Sequence, residues 1–424
     1  MRKPVIIQNS KQLSSFLQFL RAENFSRCQY LRQLEIWTCG EDEDVIQDLI
    51  ETLPRLANIK SLSLSNAAED LESDPALPRA FATLKSLRHI EFYGVKAGTN
   101  FAPTLEELQC AKWVTFIEPV IPKMPIYHNM RKLSVEHHGL QLRMDPFIRA
   151  FPNLTHLHVG AMDYAPAENL DLETVRMSHE KNVEKQRASG GRWAHLEHFT
   201  GTLVDLYTAG LTCHIRRITI VKVQVEEEAM GMLATMLRYT QPVHLKLGEL
   251  TGSMLEDDPD GAFLSILRGE GVSNLLNLSV YIRFNPDDLM MDLRKTINNL
   301  VSTLAGLQLN FLELTFDVNN IDPAAREEAI LEELLRHRRG TKMPEFREQG
   351  TALLTPAEYS LNYLDVDELI ARIESIPSLE AALVMLHSSR RGVKKFERAI
   401  AKGSSRLAGP EQWRSWLPGK DPLT

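Results

Sequence analysis

The chain has 424 residues, 43% of them hydrophobic and 25% charged, and a formal net charge of −8. That length exceeds one ordinary globular core and leaves either several domains or one elongated repeat array. The acidic balance excludes a general nucleic-acid binder, which draws on clustered Lys and Arg, and the apolar runs fall far short of the roughly 20 residues of a bilayer span. Pro4 and the short apolar stretch after it are too little for the core of a secretory signal, so an intracellular protein of cytoplasm or nucleus is expected. Cys28, Cys39, Cys110 and Cys213 are widely spaced, with no Cys-x-x-Cys pair or Cys/His ladder, and read as buried free thiols.

Residues 1–30 read as a capping helix or linker. From Leu31 onward an apolar-x-x-apolar-x-apolar element recurs: Leu31/Leu34/Ile36, Ile59/Leu62/Leu64, Leu87/Ile90/Phe92, Met130/Leu133/Val135 and Leu154/Leu157/Val159, with Leu105/Leu108 as a degraded copy. The first two steps are 28 residues each and the step from 130 to 154 is 24, inside the roughly 20–29 residues of leucine-rich repeats. Further copies follow at Leu196/Phe199, Ile215/Ile218/Ile220, Leu245/Leu247, Leu275/Leu278/Val280, Leu309/Leu312/Leu314 and, weakly, Leu379/Ala382/Val384.

In each copy the last two apolar residues are two apart, the period of one strand face. Between copies the spacing becomes three and four, as in Val45/Ile46/Leu49/Ile50/Leu53 and Leu289/Met290/Leu293/Ile297/Leu300, which is the stripe of an amphipathic helix. Asp74-Pro75, Asp145-Pro146, Asn285-Pro286 and Asp322-Pro323 supply helix starts, where the missing proline N–H costs nothing. A strand-plus-helix unit cannot bury its apolar face alone, so neighbours stack. The expected fold is α/β: an irregular leucine-rich-repeat solenoid, a ribonuclease-inhibitor-like horseshoe with a parallel inner sheet and outer helices, over 31–388. An insertion near 161–193 is read either as an outward loop with a helical stretch or as a disordered segment. Residues 336–355 read as a long connection, and 389–424 as a basic C-terminal tail, solvated or facing an acidic partner.

The residues between the repeated apolar positions project from the inner sheet. Trp37, His89, Glu91, Tyr93, His156, His158, His198, Arg217, Lys246 and Tyr281 are the candidate binding residues, with Trp37, Tyr93 and Tyr281 first, because Trp, Tyr and Arg tend to carry interface energy. The alternative is that these are ordinary solvated strand positions. Four histidines on one face raise a metal site, but no Cys, Asp or Glu stands at the spacing that would complete it, and none is expected. No phosphate-binding glycine loop, nucleophile elbow or His-Glu-x-x-His motif occurs, so neither catalysis nor a cofactor is expected.

Two stretches, Ser10 to Ile36 and Glu184 to Ile220, resemble the leucine-rich-repeat part of F-box-like proteins of mushroom-forming fungi. In the second, Gln186, Trp193, Leu196, Gly201, Leu206-Tyr207, Leu211 and Cys213 match a Trp-anchored repeat followed by an LY-x-x-x-L-x-C element. The resemblance implies substrate recognition for a cullin-type ubiquitin ligase, with a Skp-type adaptor engaged by an F-box ahead of the repeats. Met1 lies only a short way before the matching segment, which implies an F-box lost in evolution, a gene model that starts late, or a stand-alone recognition module. The alternative function is a ligase-independent scaffold or inhibitor using the same face; an enzyme with a loop-built pocket is the third.

Overall fold

The structure, a computed structural model, describes residues 4–37, 43–65, 74, 76–81, 83–93, 107–111, 126–137, 142–161, 171–188, 191–223, 226–255, 263–321, 354–388 and 393–402. The chain is mixed α/β and divides into two compact units, Met1–Pro242 and Val243–Thr424.

The first unit holds β1 (Val5–Ile7), β2 (Gln33–Trp37), β3 (Ser61–Ser65), β4 (His89–Tyr93), β5 (Glu107–Ala111), β6 (Lys132–His137), β7 (His156–Ala161), β8 (His195–Gly201) and β9 (His214–Ile220). Each strand pairs in parallel with the next one in the chain. The repeated apolar position falls in register: Leu34, Leu62, Ile90, Leu108, Leu133, Leu157, Phe199 and Ile218 are successive partners. Leu34, Leu62, Leu133, Leu157, Phe199 and Ile218 are buried, and each such side chain contributes about 2 kcal/mol by leaving water. Between strands run the helices Ser10–Arg21, Glu43–Thr52, Ala76–Phe81, Asp145–Ala150, Leu172–Ala188, Leu203–Ala209 and Glu226–Thr240.

Two helix starts read from the sequence are present here. Pro146 occupies the first turn of Asp145–Ala150, and the Asp74 carboxylate accepts from the Ala76 N–H at 2.7 Å. Strand β1 has no counterpart in the repeat pattern and precedes the helix of the 1–30 segment, pairing with β2 from Val5 to Ile7. In β8 the third apolar position is Gly201. A Cβ there would lie 2.7 Å from the Val159 carbonyl oxygen and 3.0 Å from the Phe199 ring, so the strands reach this spacing only with glycine.

The 161–193 insertion is corrected where it is described. The expected helical stretch is present as Leu172–Ala188, 17 residues long, but over these residues it is packed, with Val175, His179, Asn182, Val183 and Gln186 buried, and is neither outward nor disordered. Its polar residues mislead because they are satisfied by main chain. The helix Leu203–Ala209 starts with a capping box between Thr202 and Asp205 and ends on left-handed Gly210. Its terminal carbonyls meet the long helix: His179 Nδ1 lies 2.7 Å from the Tyr207 oxygen, Asn182 donates to Thr208 at 2.7 Å, and Gln186 donates to Gly210 at 2.9 Å. Trp193, 2% exposed, donates its indole N–H to the Phe151 carbonyl at 2.8 Å.

The second unit holds β10 (His244–Thr251), β11 (Asn277–Arg283), β12 (Phe311–Asp317) and β13 (Ala381–His387), parallel in chain order, and β14 (Phe396–Ala401), antiparallel to β13. Leu278, Leu312 and Ala382 are aligned and buried, as are Val280, Leu314 and Val384. The helices are Phe263–Leu267, Leu293–Leu304, Pro356–Asn362 and Val366–Glu374. Asn285-Pro286 opens a short 3-10 turn with a capping box to Asp288 instead of the main helix, whose cap is Asp292. The Asp322-Pro323 signal and nearly all of the 336–355 connection lie outside the described residues.

The tail expected from 389 onward is corrected over Phe396–Ala401, which forms β14 with Ile400 buried. Pairing with the main chain of β13 gives this stretch its partners. Among the described residues no helix is long and apolar enough to cross a membrane.

Candidate functional site

Because side chains alternate along a strand, residues flanking the buried apolar positions stand on the other sheet face. In the first unit they form two rows. One runs Gln33, Ser61, His89, Glu107, Lys132, His156, His198, Arg217; the other runs Glu35, Ser63, Glu91, Gln109, Ser134, His158, Thr200, Thr219. Beyond them Trp37, 49% exposed, donates its indole N–H to the Glu35 carboxylate at 2.5 Å. That contact holds a large aromatic surface upright at the end of β2.

Adjacent strands bring His156, His158, His198 and Arg217 together. The rings of His156 and His198 are edge to face with centroids 6.0 Å apart. His198 Nε2 lies 3.1 Å from the Thr219 hydroxyl and 3.2 Å from the Thr200 hydroxyl, while His156 Nδ1 lies 2.9 Å from the Thr155 hydroxyl. Burial, with Arg217, His156 and His158 nearby, pushes the His198 imidazolium down from 6.5 to about 4, so the ring is neutral near neutral pH. Arg217 is exposed on β9. His89 stands on β4, three strands away at about 4.8 Å per step, and does not join this group. Glu91 and Tyr93 on β4, and Glu107 and Gln109 on β5, hold their register positions, but their side chains lie outside the described residues. His195 lies 3.6 Å from Glu197, which Arg216 approaches at 3.5 Å.

In the second unit Lys246, Ser279 and Glu313 are aligned across β10 to β12, and the Ser279 hydroxyl donates to the buried Glu313 carboxylate at 2.5 Å. The Tyr281 hydroxyl donates to Asp317. Burial first, and the neighbouring Asp317 second, raise its phenol above the ordinary value of 10.0. Arg283 lies 5.8 Å above the Tyr281 ring and pairs with Glu249 at 3.1 Å. Glu249, Arg283 and Asp317 escape the sequence pattern because β10 does not stop at Leu247: its register shifts between Leu247 and Leu250. Glu249 sits at the irregularity with φ 55°. The Gly248-Glu249 pair between two leucines is the only trace of it in the sequence.

Among the described residues no group of three or more His, Cys, Asp or Glu side chains is placed to hold a metal. A shallow depression at the β1 edge is lined by Ile6, Ile7, Gln8, Lys11, Gln12 and Ser15, next to the β2 end of the rows, where Ile6 pairs with Glu35. The rows on β7 to β9 present imidazoles, hydroxyls and one exposed guanidinium on a regular backbone. No protein-family model matches the chain, and no curated protein matches its sequence, so the reading of this face rests on its own residues.

Proposed function

We propose that the chain is an irregular leucine-rich-repeat solenoid of the ribonuclease-inhibitor-like kind that binds another protein through the polar face of its sheet. The observation that carries this reading is the alignment of the repeated apolar position from Leu34 through Ile218, which turns the intervening residues into continuous rows. A broad surface of that kind suits a macromolecular partner better than a small substrate. The resemblance to fungal F-box-like proteins favours substrate recognition for a ubiquitin ligase inside the cell, with a scaffold or inhibitor role as the alternative. Neither catalysis nor a cofactor is part of the reading.

Affinity capture with the wild-type chain and a Trp37/Tyr93/Tyr281 triple alanine variant tests it. Loss of the principal partner in the variant is the expected result; equal recovery by both proteins overturns the surface assignment. Recovery of a Skp-type adaptor by a gene product carrying an in-frame F-box supports the ligase role, and its absence leaves the scaffold role.

A further inference from the structure

Although the chain carries a net charge of −8, the two rows on β7 to β9 hold His156, His158, His198, Thr200, Arg217 and Thr219 and no carboxylate. Arg217 is exposed and makes no ion pair among the described residues. The acidic neighbour on β8, Glu197, is occupied by Arg216 and His195. Resting on the reading of this face as a protein-binding surface, we propose that β7 to β9 receive an extended segment of the partner bearing Asp or Glu at alternate positions.

The spacing fits that occupant. Two strand steps cover about 10 Å, and alternate side chains of an extended chain point the same way about 7 Å apart. A segment crossing the strands therefore sets one carboxylate beside Arg217 and the next over the His156 and His198 pair. The Thr200 hydroxyl, half-buried beside His198, is a donor for those oxygens. The His198 ring is held by two hydroxyls at 3.1 and 3.2 Å, so the receiving surface is formed before the segment arrives.

The test is fluorescence anisotropy with the full chain and a labelled peptide of about eight residues carrying Asp at every second position. The competitors are the same peptide with Lys for Asp and a single-stranded oligonucleotide of equal charge. Expected are binding of the acidic peptide, a loss of about tenfold in Arg217→Glu, and a change of less than about twofold in Arg187→Glu, an exposed position on the helix Leu172–Ala188. Arg217→Gln, with a smaller loss and an unchanged melting temperature, separates recognition from misfolding. Equal affinity for the Lys peptide or the oligonucleotide, or equal weakening by the two charge reversals, overturns the proposal. Those outcomes leave the broader reading standing, because partner capture by the Trp37/Tyr93/Tyr281 variant is scored separately; if that capture is unaffected, the broader reading fails on its own.

Discussion

The side-chain amide of Asn182 donates to the main-chain carbonyl of Thr208 at 2.7 Å. The same amide donates to the Leu142 carbonyl at 2.7 Å, and its oxygen accepts from the Met144 N–H at 3.2 Å. One buried residue thus joins the end of a helix to a loop some 40 positions earlier. Asn182→Leu keeps the volume but leaves main-chain groups desolvated without partners. A loss of about 3 kcal/mol is expected, since each buried unsatisfied group costs about 1–3 kcal/mol. Urea unfolding of the two proteins measures it, and a difference within error would mean the helix is not anchored this way.

Gly210 closes the helix Leu203–Ala209 at φ 58°, and a Cβ there would sit 3.0 Å from the His179 carbonyl oxygen. Gly210→Ala is expected to cost about 1–2 kcal/mol, from left-handed backbone strain and from pushing the two helices apart. Thermal unfolding reads this as a lowered melting temperature. A substitution without effect would show that the turn relaxes freely.

Trp193 separates packing from hydrogen bonding. Trp193→Phe retains most of the buried area and gives up the bond to Phe151, for an expected loss of about 1–2 kcal/mol. Trp193→Ala adds a cavity and is expected to cost about 3–5 kcal/mol. Chemical denaturation should rank the two in that order; the reverse order would refute the assignment of Trp193 as a packing anchor.

The folded chain holds His198 at about 4, whereas an unfolded histidine titrates near 6.5. Between those values the unfolded state binds the extra proton, so stability rises with pH. The contribution is complete above about pH 6.5 and is lost as pH falls toward 4. Its size is on the order of 3 kcal/mol. Urea midpoints of wild type and His198→Gln, followed from about pH 7 to pH 4, test this: equal slopes would mean that the His198 ring does not govern the pH dependence. A shallower pH dependence in His198→Gln is the expected outcome.

The strands were legible because each repeats one spacing, and Leu62, Leu157 and Leu312 land in register where that spacing puts them. What stayed hidden is whatever departs from alternation. Leu172–Ala188 reads as solvated because His179, Asn182 and Gln186 are polar, yet they are buried against carbonyl groups that composition does not reveal. Strand β14, with Phe396, Ala399, Ile400 and Ala401, lacks the repeated apolar spacing, buries Ile400, and is defined by main-chain pairing to β13. For the candidate site, the row positions of His156, His198 and Arg217 followed from the pattern. Their grouping apart from His89 required knowing that β5 and β6 lie between β4 and β7.

Within each unit every described strand hydrogen-bonds to its chain neighbours. Forming any one pairing therefore closes only the loop between two successive strands, and no distant segment has to be found first. The entropic toll of assembly is divided into many small instalments, each met as the next strand docks. A lesion such as Gly210→Ala is consequently felt most by the strands on either side of it and fades along the chain, so hydrogen exchange should open up locally before it opens up everywhere.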